Sequence, residues 1–408
     1  MKIETYLRFM AEKGASDLYM TTGARLSMKL DGEMVPISEK PLKPGVAKAV
    51  AWDLMTPEQQ QTFEKNLEMN IGLPIHDVGR FRVNIYYQRG EVSLVVRYVS
   101  SNIKTLEELS MPPILKDQVM LKTGLVLVVG ATGTGKSTTL AAMIEHRNAH
   151  KSGHILTIED PIEFAFTHNK SIVGQREVGI DTLSYENALR EAMREAPDVI
   201  MVGEIRDHET MEAALSFADT GHLVVSTLHA VNANQALDRI VGLFPEDARN
   251  RVLQDLSLNL RCIASQRLVM GIDGKRVPAV EILLNTPFIA DLIYKGQVGD
   301  IKEVMEKSAS IGMQTFDQSL LLLYQEGKIS REEALSNADS RNNLEWRMNF
   351  GGGVSDPTTE TPELEAFRYA GDDGGFAKRS AGSAASERPS ALDDLEPLSD
   401  TAIMGRKR

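Results

Sequence analysis

Residues 125–137 read Leu-Val-Leu-Val-Val-Gly-Ala-Thr-Gly-Thr-Gly-Lys-Ser, and this stretch decides the fold. Its first five residues are apolar and rich in β-branched side chains, which is typical of a strand buried on both faces. Leu140, Met143 and Ile144 then repeat at helical spacing. The pattern G-x-x-x-x-G-K-S between a strand and a helix predicts a phosphate-binding loop, whereas an ordinary glycine-rich turn is the alternative.

The residue types in this loop suit a nucleoside triphosphate. Glycines allow successive backbone N–H groups to converge on an anion, and the helix N-terminus adds the positive end of its dipole. We expect Lys136 to hold phosphate oxygens and the hydroxyl of Ser137 to bind Mg²⁺. The residues predicted to bind the nucleotide here are Gly130, Ala131, Thr132, Gly133, Thr134, Gly135, Lys136, Ser137 and Thr138.

The composition narrows the class of protein. The chain has 408 residues, so two to three domains are expected, and its net charge of −12 argues against broad binding to nucleic acid. A single cysteine, Cys262, excludes a disulfide framework and a cysteine-based zinc site, and fits a reducing cytosol. No secretory signal core and no membrane span of ~18 apolar residues is evident, so we expect a cytoplasmic protein.

The pattern of elements changes along the chain. Residues 1–100 alternate short helices and strands and predict a small α+β domain, and residues 101–113 form a proline-containing linker. Residues 114–350 predict a mostly parallel sheet with helices on both faces, followed from about residue 246 by a helical region with one hairpin near residues 272–275. Residues 351–408 have the composition of a disordered tail.

Acidic residues follow two of the predicted core strands. Glu163 lies in the sequence Glu-Asp-Pro-Ile-Glu after the second strand, and Glu204 follows the third strand after a glycine. Carboxylates at the strand ends where the phosphate loop lies can reach a metal ion or the attacking water. We therefore expect Glu204 to bind Mg²⁺ and both glutamates to be catalytic. The alternatives are a solvated acidic turn for Glu163 and a structural ion pair of Glu204 with Arg206.

Two histidines flank the fourth core strand. His222 and His229 are seven residues apart, which separates them by ~20 Å along a strand, so they cannot share a metal ion within one chain. His229 lies at the same strand end as the other motifs and is the better candidate for a catalytic or nucleotide-sensing residue, while His222 could act at a subunit boundary.

These four motifs, in this order, resemble the secretion-superfamily ATPases, which power type II and type IV secretion and type IV pili. Residues 130–137 resemble the Walker A motif of that family, 155–164 the Asp box, 199–207 the Walker B motif and 222–229 the His box. The resemblance covers roughly residues 1–345. It implies a RecA-like α/β core with a P-loop and a PAS-like N-terminal domain.

Within that family the chain resembles the pilus retraction ATPases. It has one N-terminal domain, which begins Gly-Ala-Ser-Asp-Leu at residues 14–18, and it lacks the four-cysteine zinc element of the assembly ATPases. Residues 288–295 differ from the segment that marks the main retraction motor, and the chain has an extended tail. Both features resemble the accessory retraction ATPase.

The resemblance also implies an assembly and a cellular role. It implies a homohexameric ring that hydrolyses ATP with Mg²⁺ and acts at the inner membrane through the pilus machinery. The implied partners are a paralogous retraction ATPase and a pilus platform protein of the inner membrane, with no direct contact with nucleic acid. Arg80, Arg82 and Arg97 match the basic residues that close on the phosphates, although a solvated strand face is the alternative for them.

The sequence also allows other functions for a protein with a phosphate loop. A pilus or secretion assembly ATPase, a nucleic-acid-translocating ring, a GTP switch and an interaction subunit with slow ATP turnover could all carry a phosphate loop. The acidic charge and the absence of an aromatic and basic stripe count against the nucleic-acid motor. The only Asn-Lys pair, Asn169-Lys170, lacks the aspartate that selects guanine, which counts against the GTP switch.

Overall fold

A computed structural model describes residues 3–30 and 32–350 of the chain. These residues form two sheets, one antiparallel and one mostly parallel. The predicted α/β fold, with a small α+β domain ahead of a mostly parallel sheet, is confirmed. The tail predicted to be disordered, residues 351–408, lies outside the described residues.

The small domain is a six-stranded antiparallel sheet with three helices. Its elements are α1 (Ile3–Lys13), β1 (Asp17–Met20), β2 (Arg25–Leu30), β3 (Glu33–Pro41), α2 (Val46–Leu54), α3 (Pro57–Asn66), β4 (Glu68–Ile75), β5 (Gly79–Gln88) and β6 (Glu91–Val99). The strands lie in the order β3-β2-β1-β6-β5-β4. At the start of α3, the side chain of Thr56 accepts from the backbone N–H of Gln59, and the side chain of Gln59 accepts from the backbone N–H of Thr56, so the two residues form a capping box.

The alternation of β5 sets the two faces of this sheet. Phe81, Val83 and Ile85 are fully buried in the core of the small domain. Arg80 and Arg82 lie on the other face and are partly exposed, because side chains alternate along a strand. The polar face of β5 is therefore available for contacts outside the small domain.

The central sheet has seven strands, and its helices pack on both faces. The elements up to the fourth parallel core strand are α4 (Ile114–Met120), β7 (Gly124–Val129), α5 (Lys136–His150), β8 (Gly153–Glu159), β9 (Ser171–Glu177), α6 (Tyr185–Ala192), β10 (Val199–Val202), α7 (His208–Asp219) and β11 (Leu223–Leu228). All four predicted core strands are present, and the helices α5, α6 and α7 connect them along the chain. The strand β9 is an addition that sequence reasoning missed.

The second part of the central sheet corrects the prediction of a mainly helical region after residue 246. The elements there are α8 (Ala233–Gly242), α9 (Arg249–Asn259), β12 (Leu260–Met270), β13 (Arg276–Leu284), α10 (Pro287–Tyr294), α11 (Ile301–Lys307), α12 (Phe316–Gln325), α13 (Arg331–Asn337) and α14 (Arg341–Phe350). The predicted hairpin is present, and its two long strands join the sheet. Polar side chains hide the strand pattern of β12, because Ser265 and Gln266 are buried and bonded to neighbouring elements.

The strand order of the central sheet is β13-β12-β7-β11-β10-β8-β9, and every neighbouring pair is parallel except β12 and β13, which are antiparallel. Leu125, Leu127 and Val129 of β7 face one core, and Val126 and Val128 face the other. A strand buried on both faces explains why β7 is continuously apolar. Among the described residues, no helix is both long and apolar enough to cross a membrane.

The tight start of β7 gives a prediction about stability. A Cβ atom at Gly124 would lie 2.9 Å from the carbonyl oxygen of Asn259 and 2.5 Å from the side chain of Arg261, whereas one at Gly221 would meet open space. Both glycines have positive φ, so Gly221→Ala controls for backbone strain. We expect Gly124→Ala to lower the free energy of unfolding by about 1–3 kcal/mol more than Gly221→Ala does, measured by urea denaturation. If both variants lost the same free energy of unfolding, the close packing around Gly124 would not contribute to stability.

Candidate active site

The phosphate loop joins β7 to α5 and is shaped by its glycines. Gly133 and Gly135 have φ of +78° and +89°, in the left-handed region that favours glycine. A Cβ atom at Gly130 would lie 2.6 Å from the carbonyl oxygen of Gln266 and 2.5 Å from the hydroxyl of Thr134. The loop therefore packs closely against β12 on one side, while Ala131, Thr132 and Gly133 are exposed on the other.

Lys136 is held by its own loop. Its Nζ donates to the carbonyl oxygens of Gly130 and Ala131, at 3.0 Å each, and the residue is only 8% exposed. Burial lowers the pKa of Lys136, and the carboxylates of Glu204 and Glu163 oppose that shift. The cation thus lies in the field of both predicted catalytic glutamates. An incoming phosphate has to draw the ammonium group away from the two carbonyl oxygens.

A cavity of about 200 Å³ opens next to the loop, at the carboxyl ends of the parallel strands. Most of the predicted site residues of the core line it. They are Thr132, Gly133, Lys136, Ser137, Glu163, Glu204 and His229. The other loop residues predicted to bind the nucleotide, Gly130, Ala131, Thr134, Gly135 and Thr138, lie within the same loop and the first turn of α5. The cavity is therefore lined by the phosphate loop together with residues from each of the other three sequence motifs.

Glu204 has two basic side chains, those of Arg206 and His229, as neighbours at the edge of this cavity. Its Oε2 lies 2.6 Å from Arg206, so the ion pair that the sequence offered as an alternative is present. Its Oε1 lies 2.7 Å from Nε2 of His229, in a close contact that is not an aligned hydrogen bond. The carboxylate is 14% exposed and lines the cavity, so the ion pair with Arg206 leaves it beside the phosphate loop.

The two histidines of β11 have different surroundings. His229 is partly exposed and lines the cavity. At the other end of the strand, Nδ1 of His222 is 3.2 Å from the carbonyl oxygen of Phe217, and its ring packs edge-on against the phenyl ring. The six residues of β11 separate the two side chains. Only His229 therefore joins the other motifs within this chain.

Sequence reasoning missed a buried polar network beneath Glu163. Glu159, the last residue of β8, is 5% exposed and accepts from the hydroxyl of Thr157 at 2.7 Å and from the amide of Gln175 at 3.1 Å. Its other oxygen is 3.4 Å from the backbone N–H of Glu163. Gln175 also bonds the backbone of Phe164, at 2.9 Å. The turn that carries the exposed side chain of Glu163 is thus fixed from below.

A signal for this network was present in the sequence. Glu159 comes directly after an apolar strand and four residues before Glu163, in the same motif. Burial raises the pKa of Glu159 to about 7, against the hydrogen bonds that favour its charged form. Gly203 packs against the backbone of Glu159, where a Cβ atom would lie 3.3 Å from the Cα of Glu159, so the glycine before Glu204 allows the two strand ends to approach closely.

The three arginines predicted to close on the phosphates, Arg80, Arg82 and Arg97, do not line the cavity. Arg80 lies 3.5 Å from both Glu177 and Asp181, and Arg82 lies 3.7 Å from Glu177, so both reach the central sheet. Arg97 instead pairs with Asp17 of its own domain, at 2.8 Å, and is largely exposed. A solvated face therefore does not describe Arg80 and Arg82, whose partners belong to β9 and the turn after it.

The cavity also has the donor set that Mg²⁺ prefers. Ser137, which carries a hydroxyl, and Glu204, which carries a carboxylate, both line it. Magnesium in nucleotide sites is bound through one or two such protein oxygens together with phosphate oxygens and water. The residue types present therefore fit the ion.

The fold and the cavity define a P-loop nucleotide-binding core with acidic residues at the neighbouring strand ends. A family model described as type II/IV secretion system protein matches residues 2–292. The chain belongs to this family, and it is an ATPase of the secretion type.

Relatives and a solved structure agree with this assignment. The chain is 51% identical to the type IV pilus ATPase PilU of Pseudomonas aeruginosa, over 86% of this chain and 92% of that protein. It is 44% identical to the pilus retraction ATPase PilT of the same organism, over 83% and 98%. A crystal structure of the retraction motor PilT with bound ADP matches with a TM-score of 0.78 and 41% identity, over 85% and 99% of the two chains.

The comparisons confirm the expected resemblance to the pilus retraction ATPases. The identity is higher to the protein named PilU than to the one named PilT, as the altered segment at residues 288–295 indicated. That segment forms most of α10, where Phe288 and Tyr294 are exposed and Ile289 is buried.

The raised pKa of Glu159 predicts a pH dependence of stability. Its folded-state pKa of about 7 exceeds the ordinary value of 4.5, so the folded state binds the extra proton in between. The contribution to stability is complete below the unfolded pKa and is lost as the pH rises through about 7, by about 3 kcal/mol. We expect the melting temperature of wild type to fall relative to that of Glu159→Gln between about pH 5 and pH 8. Parallel curves for the two proteins would contradict the shift.

Proposed function

We propose that this protein is a homohexameric, Mg²⁺-dependent ATPase motor that assists the retraction of type IV pili together with a paralogous retraction ATPase. The observation that supports it best is the cavity in which Lys136, Glu163 and Glu204 face one another at the phosphate loop. The relatives are named pilus ATPase and pilus retraction ATPase, which supports retraction of the pilus as the process that this protein drives.

In this proposal each cavity residue has one task. The backbone N–H groups of residues 130–138 cradle the phosphates, and Lys136 exchanges its carbonyl partners for phosphate oxygens. Glu204 and Ser137 hold Mg²⁺, which neutralises charge on the phosphates when bound. Glu163, on its fixed turn, polarises the attacking water, and His229 senses the nucleotide through Glu204.

The small domain supplies positive charge on closure. Arg80, Arg82 and Arg97 leave their present carboxylate partners and approach the phosphates, either in the same subunit or across a subunit boundary. An arginine that stabilises the transferring phosphoryl group contributes about 10³–10⁵ in rate in other phosphate-transfer enzymes. Closure over the nucleotide excludes water and converts hydrolysis into domain movement.

The named relatives and the net charge of the chain support protein partners for this ATPase. Pseudomonas aeruginosa has both a PilU and a PilT, so we propose that this chain also works beside a paralogue. We place it in the cytoplasm, held at the inner membrane by a pilus platform protein. The net charge of −12 supports a protein partner over nucleic acid.

The first test separates binding from hydrolysis. Lys136→Ala should lose nucleotide binding, because it removes the cation that faces the phosphates, and Glu204→Ala should bind ATP but lose hydrolysis, because it removes a magnesium ligand. Binding is measured with a fluorescent ATP analogue and turnover by phosphate release. The control is Lys170→Ala, an exposed lysine outside the cavity, with unchanged binding and turnover. Normal steady-state turnover by Lys136→Ala or Glu204→Ala would overturn the assignment.

The second test separates retraction from the remaining alternative, a pilus or secretion assembly ATPase. Deletion of the gene in a piliated bacterium should leave pili on the surface and impair twitching, because a retraction motor is not needed to build the fibre. Complementation with Lys136→Ala then shows whether the protein serves as a motor or as a scaffold. Loss of surface pili in the deletion strain would instead favour an assembly ATPase, which is consistent with more distant relatives such as the assembly ATPase PilB of Myxococcus xanthus.

A further inference from the structure

Glu177 is a buried carboxylate that has no role in the proposed mechanism of ATP hydrolysis. It is the last residue of β9, and it lies beside Glu159, the last residue of β8, in the parallel register. Its side chain is only 3% exposed, and Arg80 and Arg82 of the small domain are its cationic partners. A carboxylate buried to this degree is costly unless it is paired, so the arginines compensate its charge.

The same carboxylate contacts the turn that carries Glu163. The backbone N–H of Ile162 lies beside the carboxylate of Glu177 and favours its charged form. The next N–H along the chain, that of Glu163, lies 3.4 Å from Glu159. Two buried carboxylates from adjacent strands therefore hold two successive peptide groups of one turn. Of these two carboxylates, Glu177 is the one that also binds the small domain.

The backbone of Glu177 is rigidly mounted. Its N–H donates to the carboxylate of Asp181 at 2.9 Å, and its carbonyl oxygen accepts from Ile180, Asp181 and Thr182. The strand end therefore cannot shift easily when the charge around the carboxylate changes. The side chain has to respond instead, and its neighbours are the arginines and the turn.

The arginine contacts are long for charge-assisted hydrogen bonds. They measure 3.5 Å for Arg80 and 3.7 Å for Arg82, whereas well-formed pairs of this kind lie at about 2.7–2.9 Å. Loose ion pairs of this kind are suited to exchange as the small domain moves. A second connection runs beside them, since the backbone of Ala165 bonds Ser100 at the end of the small domain, at 3.0 Å.

We propose that Glu177 is a positioning residue for ATP hydrolysis: it joins Arg80 and Arg82 of the small domain to the turn that carries Glu163, so that the orientation of the small domain controls the placement of Glu163. This inference rests on the proposed ATPase function. It adds a route by which domain movement acts on the attacking water. Glu177 itself does not line the cavity and contacts no reacting atom.

The test uses two substitutions of Glu177 in the full-length protein. Glu177→Gln keeps an acceptor for the N–H of Ile162 but removes the charge that binds the arginines, and Glu177→Leu removes both. We expect kcat for ATP to fall about tenfold in Glu177→Gln and about a hundredfold in Glu177→Leu, because small misplacements of a reacting group have effects of this size. KM for ATP should stay within about twofold, since the phosphate loop is untouched.

The matched control is Asp317→Asn. Asp317 is likewise buried, 4% exposed, and accepts from the backbone N–H groups of Asp339 and Ser340, but it lies at the start of α12, away from the cavity. We expect its kcat per bound nucleotide to equal that of wild type. Bound nucleotide is counted for each variant, so that a loss of folded protein is not taken for a loss of rate.

The arginine link is tested by a double-mutant cycle. The variant with Arg80→Ala and Glu177→Gln should lose less kcat than the two single losses combined, because both changes break the contact between Arg80 and Glu177. Additive losses, a normal kcat per bound nucleotide in Glu177→Gln, or a raised KM with unchanged kcat would each overturn the inference. Absence of ATP turnover in wild type would overturn the proposed function instead.

Discussion

Parallel strands in register end at the same edge of a sheet, and the candidate site depends on that constraint. Val129 of β7 pairs with Leu228 of β11, and Val202 of β10 pairs with Ile158 of β8. Whatever residue follows each of these strands is therefore placed close to the others. The phosphate loop, the turn with Glu163, the pair Gly203-Glu204 and His229 come together without any special connection between them.

The second determinant of the site is a layer of buried polar contacts under this edge. Thr139 of α5 donates to Gln266 of β12 at 2.8 Å, which fixes the helix that begins at Lys136. Glu159 and Gln175 support the neighbouring turn in the same way. Buried polar groups are expensive when unpaired and specify one arrangement when fully paired. The groups that face the nucleotide are thus held by groups that do not touch it.

Secondary structure could be predicted from the sequence wherever the residue pattern that specifies it lies within one short segment. The run from residue 125 to residue 137 predicted strand, loop and helix, because a doubly buried strand and a glycine-rich turn each have a strong pattern. The strand β9 was missed, and the hairpin of β12 and β13 was predicted without its place in the central sheet, because buried polar residues such as Glu177 and Ser265 interrupt the apolar pattern. Their side chains are bonded to distant elements, and a window along the chain does not contain that information.

Contacts between residues far apart in the sequence also limit the prediction of individual site residues. Glu204, Glu163 and His229 could be selected because each follows a core strand. The partners of Arg80 and Arg82 could not be predicted, since Glu177 lies almost a hundred residues further along the chain. The basic face of β5 was visible in the sequence, but the acidic strand end that it meets depends on how the small domain contacts the central sheet.

The most direct measurement of the central claim is a crystal structure with Mg²⁺ and a non-hydrolysable ATP analogue. The account predicts Lys136 on the phosphates, Glu204 directed at the metal ion and Glu163 within reach of a water in line with the outermost phosphorus. If both glutamates pointed well away from that phosphorus atom in every subunit, the convergence of strand ends would not be the basis of catalysis, and the account would be wrong.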